Sequence, residues 1–147
     1  MHVRTATIDD VLDVRRILDA AMLEPGDVEA RIAEGNVLVA GDRRGGSTDD
    51  ETAIGDGGGD EDDERILGAV VLEPRERGSH VSAIGVRRRQ RGRGIGRLLM
   101  ERALEREAQL TAHFDDGVRP FYERLGFSIE PIDDRRHRGV KQRDGGA

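Results

Sequence analysis

The sequence predicts an α/β (α+β) fold in which about four helices pack on the faces of one mixed sheet of about six or seven strands. Short aliphatic and β-branched runs, which are typical of strands, alternate unevenly with segments whose apolar residues recur at helical spacing. The length of 147 residues suits one domain with a sizeable core. We therefore expect a single domain over residues 1–147.

The first elements are a strand and two helices. Residues 3–6 predict a short strand, and Thr7 with Asp10 three residues later is a capping pair for the helix that follows. Apolar residues recur at helical spacing along that helix: Val11, Val14, Leu18, Ala21 and Met22. A second short helix is predicted over residues 27–34, with Gly35 as its terminator.

The middle of the chain predicts a hairpin interrupted by a long acidic loop. Residues 37–40 and 66–72 are short, aliphatic and β-branched, as in strands. Residues 41–64 between them are polar and glycine-rich, so we expect a disordered loop. The alternative is a divalent-cation site built from Asp56, Asp60, Asp62 and Asp63, but these acids lack the spacing of a calcium-binding loop.

The second half continues the alternation of strands and helices. Residues 80–86, 110–114 and 127–132 predict strands, and a helix is predicted after the glycines near position 95. Residues 120–125 predict a short helix with proline in its first turn. The tail predicts either an edge strand near residues 137–140 or frayed chain, with residues 141–147 the most prone to fray.

Composition excludes several classes of protein. The chain has no Cys, so it holds no disulfide, zinc-thiolate site or cysteine nucleophile, and His2 and His113 lack metal-ligand spacing. It shows no run of signal-peptide or membrane-span length, so we expect a cytoplasmic protein without membrane contact. Richness in Arg, Asp and Glu with only one lysine, Lys141, is typical of halophilic proteins. Because salt screens surface charge, the net charge of -6 identifies no partner.

The segment RRRQRGRGIGRLLM, residues 87–100, joins a predicted strand to a predicted helix through alternating glycines. Unpaired N–H groups and the positive end of the helix dipole meet at such a junction and favour an anion. The loop lacks the Gly-Lys-Ser/Thr of a Walker motif and the third glycine of a dinucleotide fingerprint. It therefore predicts a phosphate-binding loop of another type.

Two motifs carry a resemblance to the GNAT superfamily of N-acetyltransferases. The pattern Arg91-x-x-Gly94-x-Gly96 resembles the acetyl-CoA signature R/Q-x-x-G-x-G/A, and PFYERLGF at residues 120–127 resembles the late motif of that family. One helix and one strand separate them, and VRTATIDDVLDVRRIL is similar to the first strand and helix. The resemblance covers the chain except the acidic loop and the tail. It implies a mostly antiparallel sheet whose central parallel pair splays to bind acetyl-CoA.

The resemblance also implies a set of cofactor contacts. The parallel pair corresponds to residues 80–86 and 110–114, and backbone groups at Ile84, Gly85 and Val86 are expected to pair with the pantetheine arm. Amides of the glycine loop are expected to hold the pyrophosphate: Arg91, Gly92, Arg93, Gly94, Ile95, Gly96 and Arg97. Which of the arginine side chains binds which phosphate stays open.

For catalysis, the resemblance implies direct attack of a primary amine on the thioester. Tyr122 matches the position of the general acid of the family, and its alternative is a buried phenol with one satisfied hydroxyl. His80 is the leading candidate for the base, while a strand-end histidine without a catalytic role is equally compatible. Glu73, Asp115, Asp116 or water are other candidates for the base. Strand alternation places His80, Ser82, Ile84 and Val86 on one face unless a β-bulge intervenes.

The acceptor stays open among peptide N-termini, lysines, polyamines, amino acids and small amine antibiotics, and so does a homodimer. Two other functions compete with the enzyme. A nucleic-acid-binding module would use the basic stretch from Arg87 to Arg97, but that stretch has no interleaved aromatic residues, and we expect no nucleic-acid partner. A non-catalytic CoA-binding regulatory domain would retain the glycines without turnover.

Overall fold

The computed structural model describes residues 1–20, 27–43 and 64–142. Seven strands form one sheet in this part of the chain: β1 (His2–Thr5), β2 (Val37–Arg43), β3 (Glu64–Arg75), β4 (Gly78–Val86), β5 (Gln109–Asp115), β6 (Ser128–Pro131) and β7 (Arg136–Gln142). Four α-helices accompany them there: α1 (Val11–Ala20), α2 (Val28–Ala33), α3 (Ile95–Arg106) and α4 (Arg119–Leu125). The strand order is β1-β2-β3-β4-β5-β7-β6. Only β4 and β5 pair in parallel among the described strands, which confirms the predicted fold class.

Local capping explains why the first helices begin and end where they do. The Thr7 hydroxyl accepts a hydrogen bond from an N–H of the following turn, and the Asp10 carboxylate accepts one from the Thr7 N–H at 2.8 Å. Asp27 caps α2 by accepting from the Ala30 N–H at 3.0 Å. Gly35 follows α2 with a left-handed φ of 81°. These residues confirm the predicted helix boundaries, except that positions 21 and 22 lie outside the described residues.

Two apolar layers enclose the sheet. One face of β2, β3 and β4 packs against α1 and α2, through residues such as Val14, Leu18 and Ile32. The other face packs against α3 and α4, where Leu99 and Met100 are buried and the aromatic residues of the late motif are buried or partly buried. The sheet therefore has an α1 face and an α3 face, and both names are kept below.

The tail differs from its prediction. Residues 136–142 form β7, which pairs with β5 on one side and β6 on the other, so it is an interior strand rather than an edge strand or a frayed end. The strands β2 and β3 also extend into the predicted acidic loop as far as Arg43 and from Glu64. The rest of that loop, residues 44–63, and the last residues, 143–147, lie outside the described residues.

Candidate active site

Strands β4 and β5 diverge at the centre of the sheet. Their parallel pairing covers only three pairs, which end at Val81 with Ala112. Beyond this point β4 stays paired with β3 as far as Val86, and β5 stays paired with β7 as far as Asp115. Because each strand follows its outer neighbour, a gap opens between them on the side toward the glycine loop.

A β-bulge in β4 changes which face each of its residues occupies. Val71 of β3 lies opposite Ala83, but Leu72 lies opposite Val81, so Ser82 is an extra residue. Val81 and Val86 accordingly pack on the α3 face, while Ala83 packs on the α1 face. The uniform alternation expected for this strand is therefore wrong, and His80 lies on the opposite face from Val86.

The glycine loop presents unpaired backbone donors. Gly92 and Gly94 have left-handed φ values of 83° and 81°, and Gly94 is the N-cap of α3 without any side-chain cap. The first hydrogen bond of the helix is from the Leu98 N–H to the Gly94 carbonyl, at 3.0 Å. No described residue accepts from the N–H groups of residues 95–97, because the cap has no side chain to do so. These donors, at the positive end of the helix, make a site for an anion.

A cavity of about 400 Å³ lies at this helix start, on the α3 face. Seven of the predicted cofactor residues line it: Val86, Arg91, Gly92, Gly94, Ile95, Gly96 and Arg97. Ile84, Gly85 and Arg93 do not line it, and the backbone of Gly85 lies against Ile17 and Leu18 on the α1 face. Four residues that were not predicted complete the lining: Gln90, Phe121, Arg124 and Leu125.

The cavity-lining residues on α4 were not predicted, although their spacing in the sequence could have indicated them. Arg124 and Leu125 follow Phe121 by three and four residues, so both lie on the same side of the short helix as Phe121. A Cβ on Gly96 would lie 3.2 Å from Phe121 Cε1, so the absence of a side chain at this position lets the two helices meet. Arg124 also lines a second cavity of about 320 Å³, and it has no ion pair within the described ranges.

The arginines of the loop are not a uniform solvent-facing stripe. The guanidinium of Arg87 donates to the Ile66 carbonyl at 2.6 Å and lies 3.4 Å from Asp13. Arg91 Nε donates to the Val86 carbonyl at 3.3 Å. Arg97 pairs with Glu101 at 2.9 Å. Arg93 remains exposed and has no ion pair in the part of the chain that the structure describes.

Tyr122 is enclosed by aromatic rings in the core. Its ring stacks on Phe114 with centroids 4.1 Å apart and meets Phe121 and Phe127 edge to face. The residue is only 4% exposed, and its burial raises the pKa of the phenol to about 12. The hydroxyl has no hydrogen bond with any described residue, so it is a buried donor without a partner. Tyr122 does not line the cavity itself.

His80 lies half-buried on the α1 face, in contact with β5. Its Nδ1 and the Thr111 hydroxyl form a hydrogen bond of 2.8 Å, and its ring meets His113 edge to face with centroids 4.8 Å apart. Burial, followed by the positive charge of Arg75, lowers the pKa of His80 below its ordinary 6.5, against the opposing effect of Glu73. A neutral imidazole is therefore the dominant form at neutral pH.

The other candidate bases are already engaged. A hydrogen bond from Arg75 lowers the pKa of Glu73, which makes its carboxylate a weaker base. Asp115 accepts from the Gly117 N–H at 3.1 Å, and Asp116 binds His137 at 2.5 Å. Among the described residues, no three metal-ligating side chains come together, and no helix is long and apolar enough to cross a bilayer.

Comparison with known proteins shows what the chain is similar to. The family model described as acetyltransferase (GNAT) domain matches residues 60–129, and no curated protein matches the sequence significantly. A GNAT family acetyltransferase from Bacillus cereus superposes with a TM-score of 0.67 at 17% identity, over 97% of this chain and 96% of that one. Ard1 from Thermoplasma volcanium gives 0.66 at 16% identity, over 96% of each chain. N-acetylglutamate synthase from Neisseria gonorrhoeae gives 0.68 at 11% identity, over 97% of this chain and 33% of that one. Residues 60–129 therefore resemble a GNAT acetyltransferase domain, and the described fold is shared with solved GNAT acetyltransferases.

Proposed function

We propose that the protein is an acetyl-CoA-dependent N-acetyltransferase that acetylates a primary amine. The observation that carries this proposal is the α3 helix start, whose uncapped amides line a cavity beside diverging parallel strands. The structure of the Neisseria gonorrhoeae synthase, which shares the fold, is a complex with coenzyme A. This supports acetyl-CoA as the co-substrate.

In the proposed complex, the pyrophosphate accepts hydrogen bonds from the N–H groups of residues 95–97. The pantetheine arm follows the edge of β4 near Ile84 and Val86, which β5 leaves unpaired within the described residues. The Val86 carbonyl accepts a hydrogen bond from Arg91 at 3.3 Å, so this guanidinium lies beside the proposed path of the arm. Arg124 supplies a positive charge at the same cavity.

The transfer begins when the lone pair of a neutral amine attacks the thioester carbonyl carbon. The new C–N bond forms, the C–S bond breaks, and CoA leaves as a thiolate. The amine nitrogen loses one proton to a base, and the thiolate gains one from an acid. The protein must therefore supply a base on the acceptor side and an acid near the sulfur.

Tyr122 is the proposed acid. A phenol whose pKa is about 12 keeps its proton throughout the neutral range, so it is always able to donate. The lack of a described partner for its hydroxyl supports this role, because a structural phenol in the core is normally hydrogen-bonded. The surrounding rings would hold the hydroxyl in one orientation.

His80 is the proposed base. When Nδ1 donates to Thr111 Oγ1, Nε2 carries the lone pair that takes the ammonium proton, and no described residue binds Nε2. Its lowered pKa keeps the imidazole neutral at pH 7. The rate, as kcat/KM, is then expected to fall as the pH decreases through a pKa below 6.5, unlike that of a His80→Gln variant.

The proposal is tested by calorimetric titration of acetyl-CoA into the wild type and Tyr122→Phe, at low and high salt, with duplex DNA and RNA as controls. Both proteins should bind acetyl-CoA alike, and the variant should lose about 10²-fold in kcat. Its melting temperature should not fall, because the substitution removes a buried hydroxyl that has no described partner.

Two results would contradict the proposal at different points. If the wild type bound nucleic acid but not acetyl-CoA, the loop would be a nucleic-acid-binding segment that acts through its arginine side chains, and its glycine backbone would not be a site for the pyrophosphate. If acetyl-CoA bound and Tyr122→Phe kept full turnover, the transferase would stand without this acid, and Tyr122 would be a core residue only.

A further inference from the structure

The sheet has an uncovered region on its α1 face. Helices α1 and α2 pack on this face over β2, β3 and β4. On β5 the residues directed to the α3 face are Leu110, Ala112 and Phe114, so Thr111, His113 and Asp115 lie on the α1 face. Within the described residues, no helix covers the α1 face across β5, β7 and β6.

This uncovered face begins at His80 and carries arginines. His80 lies opposite Glu73 on one side and Thr111 on the other. Further along β5, His113 lies opposite Arg138 and Asp115 lies opposite Arg136 on β7. Arg138 and Arg136 thus share a face with the two histidines, one strand away from His113.

The carboxylates present only partly neutralise these arginines. Arg75 pairs closely with Glu73, at 3.1 Å. Arg138 lies 3.8 Å from Glu130, a loose pair whose carboxylate side chain is 69% exposed. Arg136 has no ion pair with any residue that the structure describes. Solvent-exposed pairs of this kind are weak and easily exchanged for a ligand.

The lowered pKa values of His80 and His113 indicate a positive electrostatic field at this surface. After burial, the positive charges of Arg136, Arg138 and Arg75 lower the pKa of His113, and no carboxylate opposes them. Arg138 and Arg75 act in the same direction on the pKa of His80. An amine with a second positive charge would be repelled here, whereas a carboxylate would be attracted.

We infer that the acceptor is a small amine that also carries a carboxylate, as in an amino acid, and that Arg136 and Arg138 bind this carboxylate while the amine reaches His80. The inference rests on the proposed acetyl transfer. The arginine fork suits a carboxylate because it offers two parallel donors.

The experiment compares acceptors in which carboxylates are replaced by neutral amides or, in one case, by a second amine. One series is 4-aminobutyrate, 4-aminobutyramide and putrescine; another is L-glutamate and its diamide. Release of CoA and the mass of the acetylated product are measured at saturating acetyl-CoA. The carboxylate member of each series should have the highest kcat/KM, by about tenfold or more. Equal or better turnover of the amide or the diamine would overturn the inference.

Variants locate the carboxylate site. Arg136→Gln and Arg138→Gln should each raise the KM for the carboxylate acceptor about tenfold, and leave the Kd for acetyl-CoA and the kcat/KM for the matched amide within about twofold. Arg102→Gln is the control, because Arg102 is an exposed residue of α3 whose described partner is Glu105. Unchanged KM in both variants, or equal loss for amide and carboxylate, would overturn the inference.

The same experiment separates the inference from the proposed function. If acetyl-CoA binds and only the amide or diamine series is acetylated, the transferase stands and the acceptor class is wrong. If acetyl-CoA binds and no carboxylate probe is acetylated, the acceptor class is wrong as well. If acetyl-CoA does not bind, the proposed function fails first and the inference fails with it.

Discussion

Gly94 and Gly35 form a matched pair that separates backbone strain from ligand binding. Both have a φ of 81°, and a Cβ added to either would meet no heavy atom within 4 Å. Alanine at a left-handed position costs about 1–2 kcal/mol, partly offset because alanine also restricts the unfolded chain. We therefore expect Gly94→Ala and Gly35→Ala to lose the same stability, about 1 kcal/mol, which lowers Tm by roughly 2–4 °C for a chain of this size.

Only one of the two glycines lines the cavity at the start of α3, and that is Gly94. A methyl group there would hold a pyrophosphate away from the amides of residues 95–97, and one lost charge-assisted hydrogen bond weakens binding by about 10–100-fold. Thermal unfolding and calorimetric titration of acetyl-CoA on both variants measure the two effects. The reasoning is refuted if Gly35→Ala weakens binding as much as Gly94→Ala, or if neither variant does.

Three further substitutions test the packing and the caps. Gly96→Ala places a Cβ 3.2 Å from the Phe121 ring, so urea unfolding should show about 1–3 kcal/mol of destabilisation. Gly78→Ala places a Cβ 2.0 Å from a backbone carbonyl of β5, and we expect no folded protein by circular dichroism. Burial alone raises the pKa of Asp10, but hydrogen bonds from Arg4 and a backbone N–H hold it below 3.8. The ionised carboxylate therefore stabilises the wild type above about pH 4, and this stability is lost as the pH falls further; Asp10→Asn should be less stable at pH 7 and should lack this loss.

Local chemistry explains why most of the elements could be predicted from the sequence. A capping pair such as Thr7 with Asp10, or a terminator such as Gly35, acts within a few residues, so its meaning does not depend on the rest of the fold. The glycine loop is equally local, because left-handed backbone and an uncapped helix start are properties of the segment itself. Six of the seven cofactor residues predicted in this loop accordingly line the cavity, Arg93 being the exception.

The position of β7 depends on distant partners, and this is why the tail was predicted wrongly. The local sequence pattern of residues 136–142 does not indicate that this strand pairs with β5 on one side and with β6 on the other. Two signals were nevertheless present. Pro131 lacks an N–H, which suits the edge position that β6 occupies. A Cβ on Gly139 would lie 3.0 Å from the Phe114 ring, and a glycine inside a strand often marks such close approach.

The bulge at Ser82 determines on which side of the sheet His80 lies relative to the cavity at the start of α3. With regular alternation, His80 and Val86 would share a face, and the proposed base would lie on the same side of the sheet as the cavity at the start of α3. One extra residue moves His80 to the α1 face and leaves Val86 on the α3 face. A cofactor bound at α3 and an acceptor bound near His80 can then meet only across the sheet. The described strands provide that passage where β4 and β5 part, beyond Val81 and Ala112. Because the bulge and the divergence lie within a few residues of each other, the same stretch of β4 places His80, the proposed base, on the α1 face and adjoins the gap that would lead to it.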